Sequence, residues 1–240
     1  IEREKLDVTL VNSRITGSFH PVAQATHDIV QIMQNMGFVY KSNREIETLY
    51  HNFTGLNIPD NHPARAEQDT FYTTDGKLLR THTSSVQVHV LESEAPPLRL
   101  ICPGRVYRND SDRTHSPMFH QLECMCIDEN VDMSMLFYTI KQLLNAFFKE
   151  DIPIRLRPNY FPFTEPSAEV DIQFEGKWLE VLGCGMVHPN VLKMAGIDTN
   201  KYQGFAFGVG IDRLVMLRHR ITDLRDLFDN HTGFLEQFFG

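Results

Sequence analysis

The sequence predicts an α+β fold, an antiparallel sheet flanked by helices, and three observations carry that reading. The strand-like runs are joined by short polar loops or by long helical excursions, not by regular β-α-β units. The run Leu98–Asp128 reads as two strands across a polar loop, and Ala168–Phe174 with Trp178–Leu182 reads as a hairpin across Glu175-Gly176-Lys177. At 240 residues, 42% of them apolar, the chain suits one large domain, or slightly more, with a sizeable core.

Taken in order, residues 1–19 are polar and irregular and read as a linker or edge segment, which leaves 20–240 as the folded domain. Pro21 stands where a first helical turn tolerates it. Val22, Ala25, Ile29, Val30, Met33 and Met36 follow at helical spacing, and Gly37 closes the helix. Phe38–Tyr40 is a short strand. Asn57–Tyr72 has two prolines and mixed charge and reads as a structured loop in which His62 is structural. Leu78–Leu79 leads into a Thr/Ser-rich turn able to cap a helix from about Ser84 to Leu91.

The next strand, Leu98–Arg108, reads as broken at Pro103-Gly104, and the loop Asn109–Pro117 holds Asp110, Asp112, Arg113 and His115. Strand Met118–Ile127 alternates, so Phe119, Gln121 and Glu123 share one face. A ring, an amide and a carboxylate side by side make poor core and a good binding floor. Asn130 or Asp132 begins a long helix with a buried stripe of Met135, Leu136, Ile140, Leu143, Leu144, Phe147 and Phe148, ended by Pro153. Ile154–Arg157 is a strand. Gly183-Cys184-Gly185 allows a close backbone approach. A short helix and loop fill 188–203. Strand Phe205–Phe207 passes through Gly208 and Gly210 into a last helix, Ile211–His219, and the tail from Asp223 is aromatic and amphipathic.

Composition excludes several classes. The formal charge of −8 argues against this chain alone gripping RNA, because phosphate contacts need clustered Lys and Arg. No signal peptide and no apolar run near the ~20 residues of a membrane span is present, so a soluble, cytoplasmic protein is expected. Four cysteines are too few and too scattered for a disulfide framework. Cys124 and Cys126 would share a strand face, but with no second ligand pair nearby they read as buried thiols rather than a zinc site. Gly208-Val209-Gly210 is not a dinucleotide fingerprint, since Arg213 occupies the place of the third glycine.

Three stretches carry a family resemblance. Arg108, then His115 and Phe119, then Glu123, resembles the second signature motif of class II aminoacyl-tRNA synthetases. Gly204-Phe205-Ala206-Phe207-Gly208-Val209-Gly210-Ile211-Asp212-Arg213 resembles their third. Tyr160-Phe161-Pro162-Phe163-Thr164-Glu165-Pro166-Ser167 is similar to the amino-acid pocket of the phenylalanyl enzymes, in particular the catalytic alpha-subunit family of bacterial phenylalanyl-tRNA synthetases. The likeness runs from about Asp7 to Phe238 and implies the class II synthetase fold.

The resemblance further implies ATP and Mg2+ as cofactors, L-phenylalanine and tRNA(Phe) as substrates, and a beta subunit in an alpha2beta2 assembly. It also implies an N-terminal helical arm ahead of Ile1 and a dimer face built by the first helix and strand. By the same likeness, Arg108 holds the α-phosphate, His115 lies over the β- and γ-phosphates, and Phe119 and Arg213 sandwich adenine. His82, Ser84, Gln87, Gln121 and Glu123 meet the amino group and flank of the bound amino acid. Phe161 and Phe163 form its slot on one side of an extended segment, and Ala206 is its floor. Glu165 is the first expected metal ligand and Glu180 the second. An apolar slot rejects an added hydroxyl by only about 10²-fold, so some tyrosine activation is expected, corrected in the partner chain. Two other readings stay open on the sequence: a non-catalytic paralogue that keeps the fold, and a class II synthetase for another amino acid.

Overall fold

The computed structural model describes residues 17, 19–66, 68–112 and 115–238; Arg113 and nearly all of the expected linker lie outside them. The chain opens with helix α1 (Pro21–Asn35), whose buried Val22, Ala25, Ile29 and Met33 form the expected stripe. Then come the short strands β1 (Val39–Tyr40) and β2 (Ile46–Glu47), one turn of helix α2 (Leu49–Asn52) and strand β3 (Leu78–Leu79). Helix α3 (Ser85–Ser93) precedes the paired strands β4 (Leu98–Tyr107) and β5 (Met118–Asp128). After helix α4 (Met133–Phe148) come strands β6 (Ile154–Phe161), β7 (Thr164–Phe174) and β8 (Lys177–Val187). Helix α5 (Pro189–Met194), strand β9 (Gln203–Gly210), helix α6 (Ile211–His219) and the short helix α7 (Thr232–Leu235) complete the order.

One seven-stranded sheet, β1-β4-β5-β9-β8-β7-β6, organises the domain. Every pairing in it is antiparallel except β1 with β4 at the edge. Its two faces are unlike. Leu122, Cys124 and Cys126 of β5, Val170 and Ile172 of β7, and Phe205, Phe207 and Val209 of β9 pack on one face against α1, α4 and α6. Across part of the other face, α3 and α5 cover Leu100, Met125, Ile127, Val187 and Ala206. All four cysteines are buried and free, and among the described residues no helix is long and apolar enough to cross a membrane.

Several expectations are corrected by this architecture. Strand β4 runs unbroken through Pro103, which pairs with Leu122. Lys41 N donates to Ile101 O and Tyr107 N donates to Arg80 O, so the odd-numbered residues of β4 turn their backbone groups away from β5. Pro103 shares that parity, and β1 has already ended beside Ile101, so its missing N–H breaks no ladder bond. Helix α4 ends at Phe148, where Lys149 takes a left-handed conformation (φ 59°), well before Pro153. Met135 is exposed rather than part of the stripe. The expected strand Ile154–Arg157 extends to Phe161, both hairpin strands start earlier than read, and the second runs on to Val187, so Gly183 and Gly185 lie within β8.

Phe207 is 1% exposed against the three helices. Its replacement by alanine removes most of a large buried side chain from a close-packed face. Phe207→Ala is expected to lower unfolding free energy by about 3–5 kcal/mol, measured by urea denaturation.

Candidate active site

On β9, side chains alternate between the two faces of the sheet. The aromatic residues Phe205 and Phe207 take the helix-covered face, which leaves Gly204, Ala206, Gly208 and Gly210 on the other. On β5 the same alternation sends Phe119, Gln121 and Glu123 to that second face. Most of the small residues are crowded, Gly204 most of all, where a Cβ would stand 2.5 Å from the Cys126 backbone oxygen. A Cβ on Gly208 would stand 2.7 Å from Gln121 Nε2, and one on Gly183 would stand 2.9 Å from the Phe161 ring. A cleft of about 1020 Å³ opens over this floor.

Arg108, His115, Phe119 and Arg213 all line the cleft. The Arg108 guanidinium lies 5.2 Å from the centroid of the Phe119 ring, a cation–π distance, and its Nε donates to Thr81 O at 3.1 Å. Arg213 Nε donates to Glu180 O at 2.7 Å, which fixes its stem at the mouth. Asp212 beside it is buried and accepts from both the backbone N and Nδ1 of His120, pinning the first turn of α6 to β5. His115 Nδ1 is 2.9 Å from Asp112 Oδ2 on the loop after β4.

The same cleft is lined by His82, Ser84, Gln121, Glu123, Phe161, Phe163 and Ala206. Phe161 ends β6 and Phe163 immediately precedes β7, so the ring pair sits at a hairpin turn instead of in an extended segment. The rings do share a side: their centroids are 5.8 Å apart and their planes 11° apart, a stacked pair. Ala206 is buried between Met125 of β5 and Gly185 of β8.

Glu123 lines the same cleft and is 2% exposed. Ser84 Oγ donates to its Oε2 at 2.8 Å and Gln87 Nε2 donates to its Oε1. Ser84 occupies the N-cap of α3 yet makes no capping bond, because its hydroxyl is committed to this carboxylate. Gln87 is buried behind Glu123 and does not line the cleft. Gln121 Oε1 accepts from Thr83 N at 3.2 Å, which leaves its amide nitrogen beside Gly208. Burial drives the Glu123 carboxyl up to about 8, against the opposing pull of Ser84 and Gln87. Burial, and next the charge of Arg108, holds the His82 imidazole down to about 3, so the ring stays neutral. Both His82 nitrogens are buried without a protein partner while the residue lines the cleft, an arrangement that favours a ligand's polar group there.

The two expected metal ligands separate. Glu180 lines the cleft with Glu169, and burial together with the Glu169 charge raises its carboxyl. Glu165 is exposed, pairs with His188 Nε2 at 3.2 Å, and lies outside the cleft lining. Sequence reasoning missed the clamps behind the site. Asn52 exchanges two hydrogen bonds with Thr81 (3.0 and 3.2 Å), and buried Arg80 reaches Arg105 O at 2.8 Å across Gly104. Their partners are 25–29 residues away in the chain, and no local pattern marks them.

A largely antiparallel sheet whose glycine-rich floor opens to a cleft shared by two arginines distant in sequence and a buried carboxylate defines a class II tRNA synthetase core. The family model described as "tRNA synthetases class II core domain (F)" matches residues 5–238, and this chain belongs to that family. Within it the chain groups with the phenylalanine--tRNA ligase alpha subunits. It is 55% identical over 240 residues to the "Phenylalanine--tRNA ligase alpha subunit" of Idiomarina loihiensis, covering 99% of this chain and 74% of that protein. It is 56% identical over 237 residues to the protein of the same name from Acinetobacter baylyi, covering 98% and 72%. The crystal structure of pyrrolysyl-tRNA synthetase from Desulfitobacterium hafniense superposes with a TM-score of 0.70 at 17% identity, over 88% of this chain and 74% of that one. That likeness carries the fold.

Because the Glu123 carboxyl sits near 8 in the fold and near 4.3 when unfolded, its ionisation costs stability. The stability held by the protonated form is present below the unfolded value and lost as pH rises toward the folded one. In Glu123→Gln the ligand-free melting temperature is therefore expected to fall less between about pH 5 and about pH 8 than in the parent, as read by differential scanning fluorimetry.

Proposed function

We propose that this chain is a catalytic alpha subunit that activates L-phenylalanine with ATP and transfers it to tRNA(Phe), working with a beta subunit. The observation that carries this reading is convergence: Arg108, Arg213, Phe119, the Phe161–Phe163 pair and buried Glu123 all face one cleft. A benzyl ring packs against the stacked Phe161–Phe163 pair, and Ala206 leaves room at its far end. The substrate ammonium is placed against Glu123 and Gln121. A protonated Glu123 would surrender its proton as that cation arrives, so binding at neutral pH releases a proton from the carboxyl.

Activation joins two anions, because the amino acid carboxylate attacks the α-phosphorus of ATP. That nucleophile is already ionised at neutral pH, so no general base is needed. The chain's contribution is alignment and countercharge. Arg108 holds the α-phosphate and offsets charge that grows in the transition state. Phe119 stacks on adenine, Arg213 covers its other face, and His115 stands over the terminal phosphates. Glu123 and the ring slot fix the attacking carboxylate in line.

Magnesium takes hard oxygen donors and often only one or two carboxylates besides phosphate. Glu180 with Glu169 at the cleft fits that demand and would hold the ion, which would supply countercharge to ATP. Glu165 is an exposed carboxylate paired with His188, so a metal there would need further donors beyond this pair.

Phenylalanine-dependent ATP–pyrophosphate exchange by the assembled enzyme tests the reading; absence of exchange with phenylalanine would overturn it. Arg108→Ala is expected to lose at least about 10²-fold in exchange rate while its circular dichroism spectrum is retained. Ala206→Gly is expected to admit para-chlorophenylalanine, seen as exchange with that analogue above the parent's level. An unchanged rate would remove Ala206 from the slot floor.

A further inference from the structure

We propose that Glu47, His51, His89 and Glu92 form a second metal site, one that takes a first-row transition-metal dication, with zinc the best match. None of the four lines the cleft. Glu47 ends β2 and is buried, His51 lies on α2, and His89 and Glu92 lie three residues apart on one face of α3. His89 Nε2 stands 3.0 and 3.1 Å from the two Glu47 oxygens, and His51 Nε2 stands 3.0 Å from Glu92 Oε2. The two imidazoles are stacked, with centroids 3.9 Å apart and planes 10° apart. Ligand atoms of Glu47, His51 and His89 all lie within 4.8 Å of one another. Donors around tetrahedral zinc stand about 3.3 Å apart, so these three close by about 1–1.5 Å as one imidazole turns out of the stack, and Glu92 follows through its contact with His51.

One carboxylate stands against each imidazole, so a dication held at this spot would meet nitrogen and oxygen donors from three separate elements. The ligands are already oriented from behind: Thr48 Oγ1 is 2.8 Å from His51 Nδ1, and Asn43 Nδ2 donates to Glu47 Oε1 at 3.0 Å. Two imidazoles select a transition metal over magnesium or calcium. Bound there, the ion would tie β2 and α2 to α3, the helix whose first turns present Ser84 and Gln87 to Glu123. Asn43 also donates to Ser85 Oγ at 3.1 Å, so the brace reaches that same turn.

The test uses the full-length protein as it purifies, stripped with a chelator and titrated with Co2+. One equivalent is expected to give the intense visible bands of a four-coordinate cobalt centre, bleached by Zn2+ and unaffected by Mg2+. His51→Gln with His89→Gln should abolish the bands while phenylalanine-dependent pyrophosphate exchange persists. Glu92→Gln, at a half-exposed position, should weaken cobalt binding by about 10-fold or more and guards against misfolding of the double variant. Absence of the bands in the parent protein, or their persistence in the double histidine variant, overturns the site.

Discussion

The middle strand of the sheet, β9, carries bulk on one face and almost none on the other, and this asymmetry is the constraint on which the rest of the molecule depends. Three glycines on its open face each cost roughly 0.5–1 kcal/mol relative to alanine. Burying Phe205, Phe207 and Val209 on the opposite face returns about 1.5–3 kcal/mol apiece, so the strand persists despite its floor. Large residues at Gly183 or Gly208 would collide with Phe161 or Gln121 and close the cleft from below. The helices hold the sheet, and the missing side chains leave space for chemistry on the far side.

That space is then tuned by a few buried polar contacts. Glu123 is held between a hydroxyl and an amide, and among the described residues it makes no ion pair. A carboxyl so placed resists ionisation until an opposite charge enters; under the proposed function that charge is the substrate ammonium. His82 is kept neutral by burial and by the Arg108 charge, so it can offer directional hydrogen bonding without adding positive charge to the cleft.

Much of this was legible in the chain because strand alternation is local. The period of two in Met118–Ile127 and in Gly204–Gly210 announces which residues share a face, and the stripe of α1 is equally plain. What failed to show was tertiary. Pro103 looked like a strand breaker because nothing local reveals that β1 stops before it. Met135 fits the α4 stripe by spacing, yet the fold leaves it exposed. Ser84 looked like a cap, and only the fold brings Glu123, 39 residues on, close enough to claim its hydroxyl. The stacked histidines of α2 and α3 likewise have no signature in spacing, since His51 and His89 meet only through the packing of their helices.

Strand order carries one more consequence. The sheet's final strand in sequence, β9, lies in its middle, hydrogen-bonded to β5 on one side and β8 on the other. During synthesis the β4–β5 pair and the β6–β8 meander emerge first, each with an unsatisfied inner edge waiting for a zipper that the ribosome has not yet made. Maturation of the nascent protein is therefore gated by its C-terminal third, and truncated or stalled chains would expose two sticky edges that chaperones must shield.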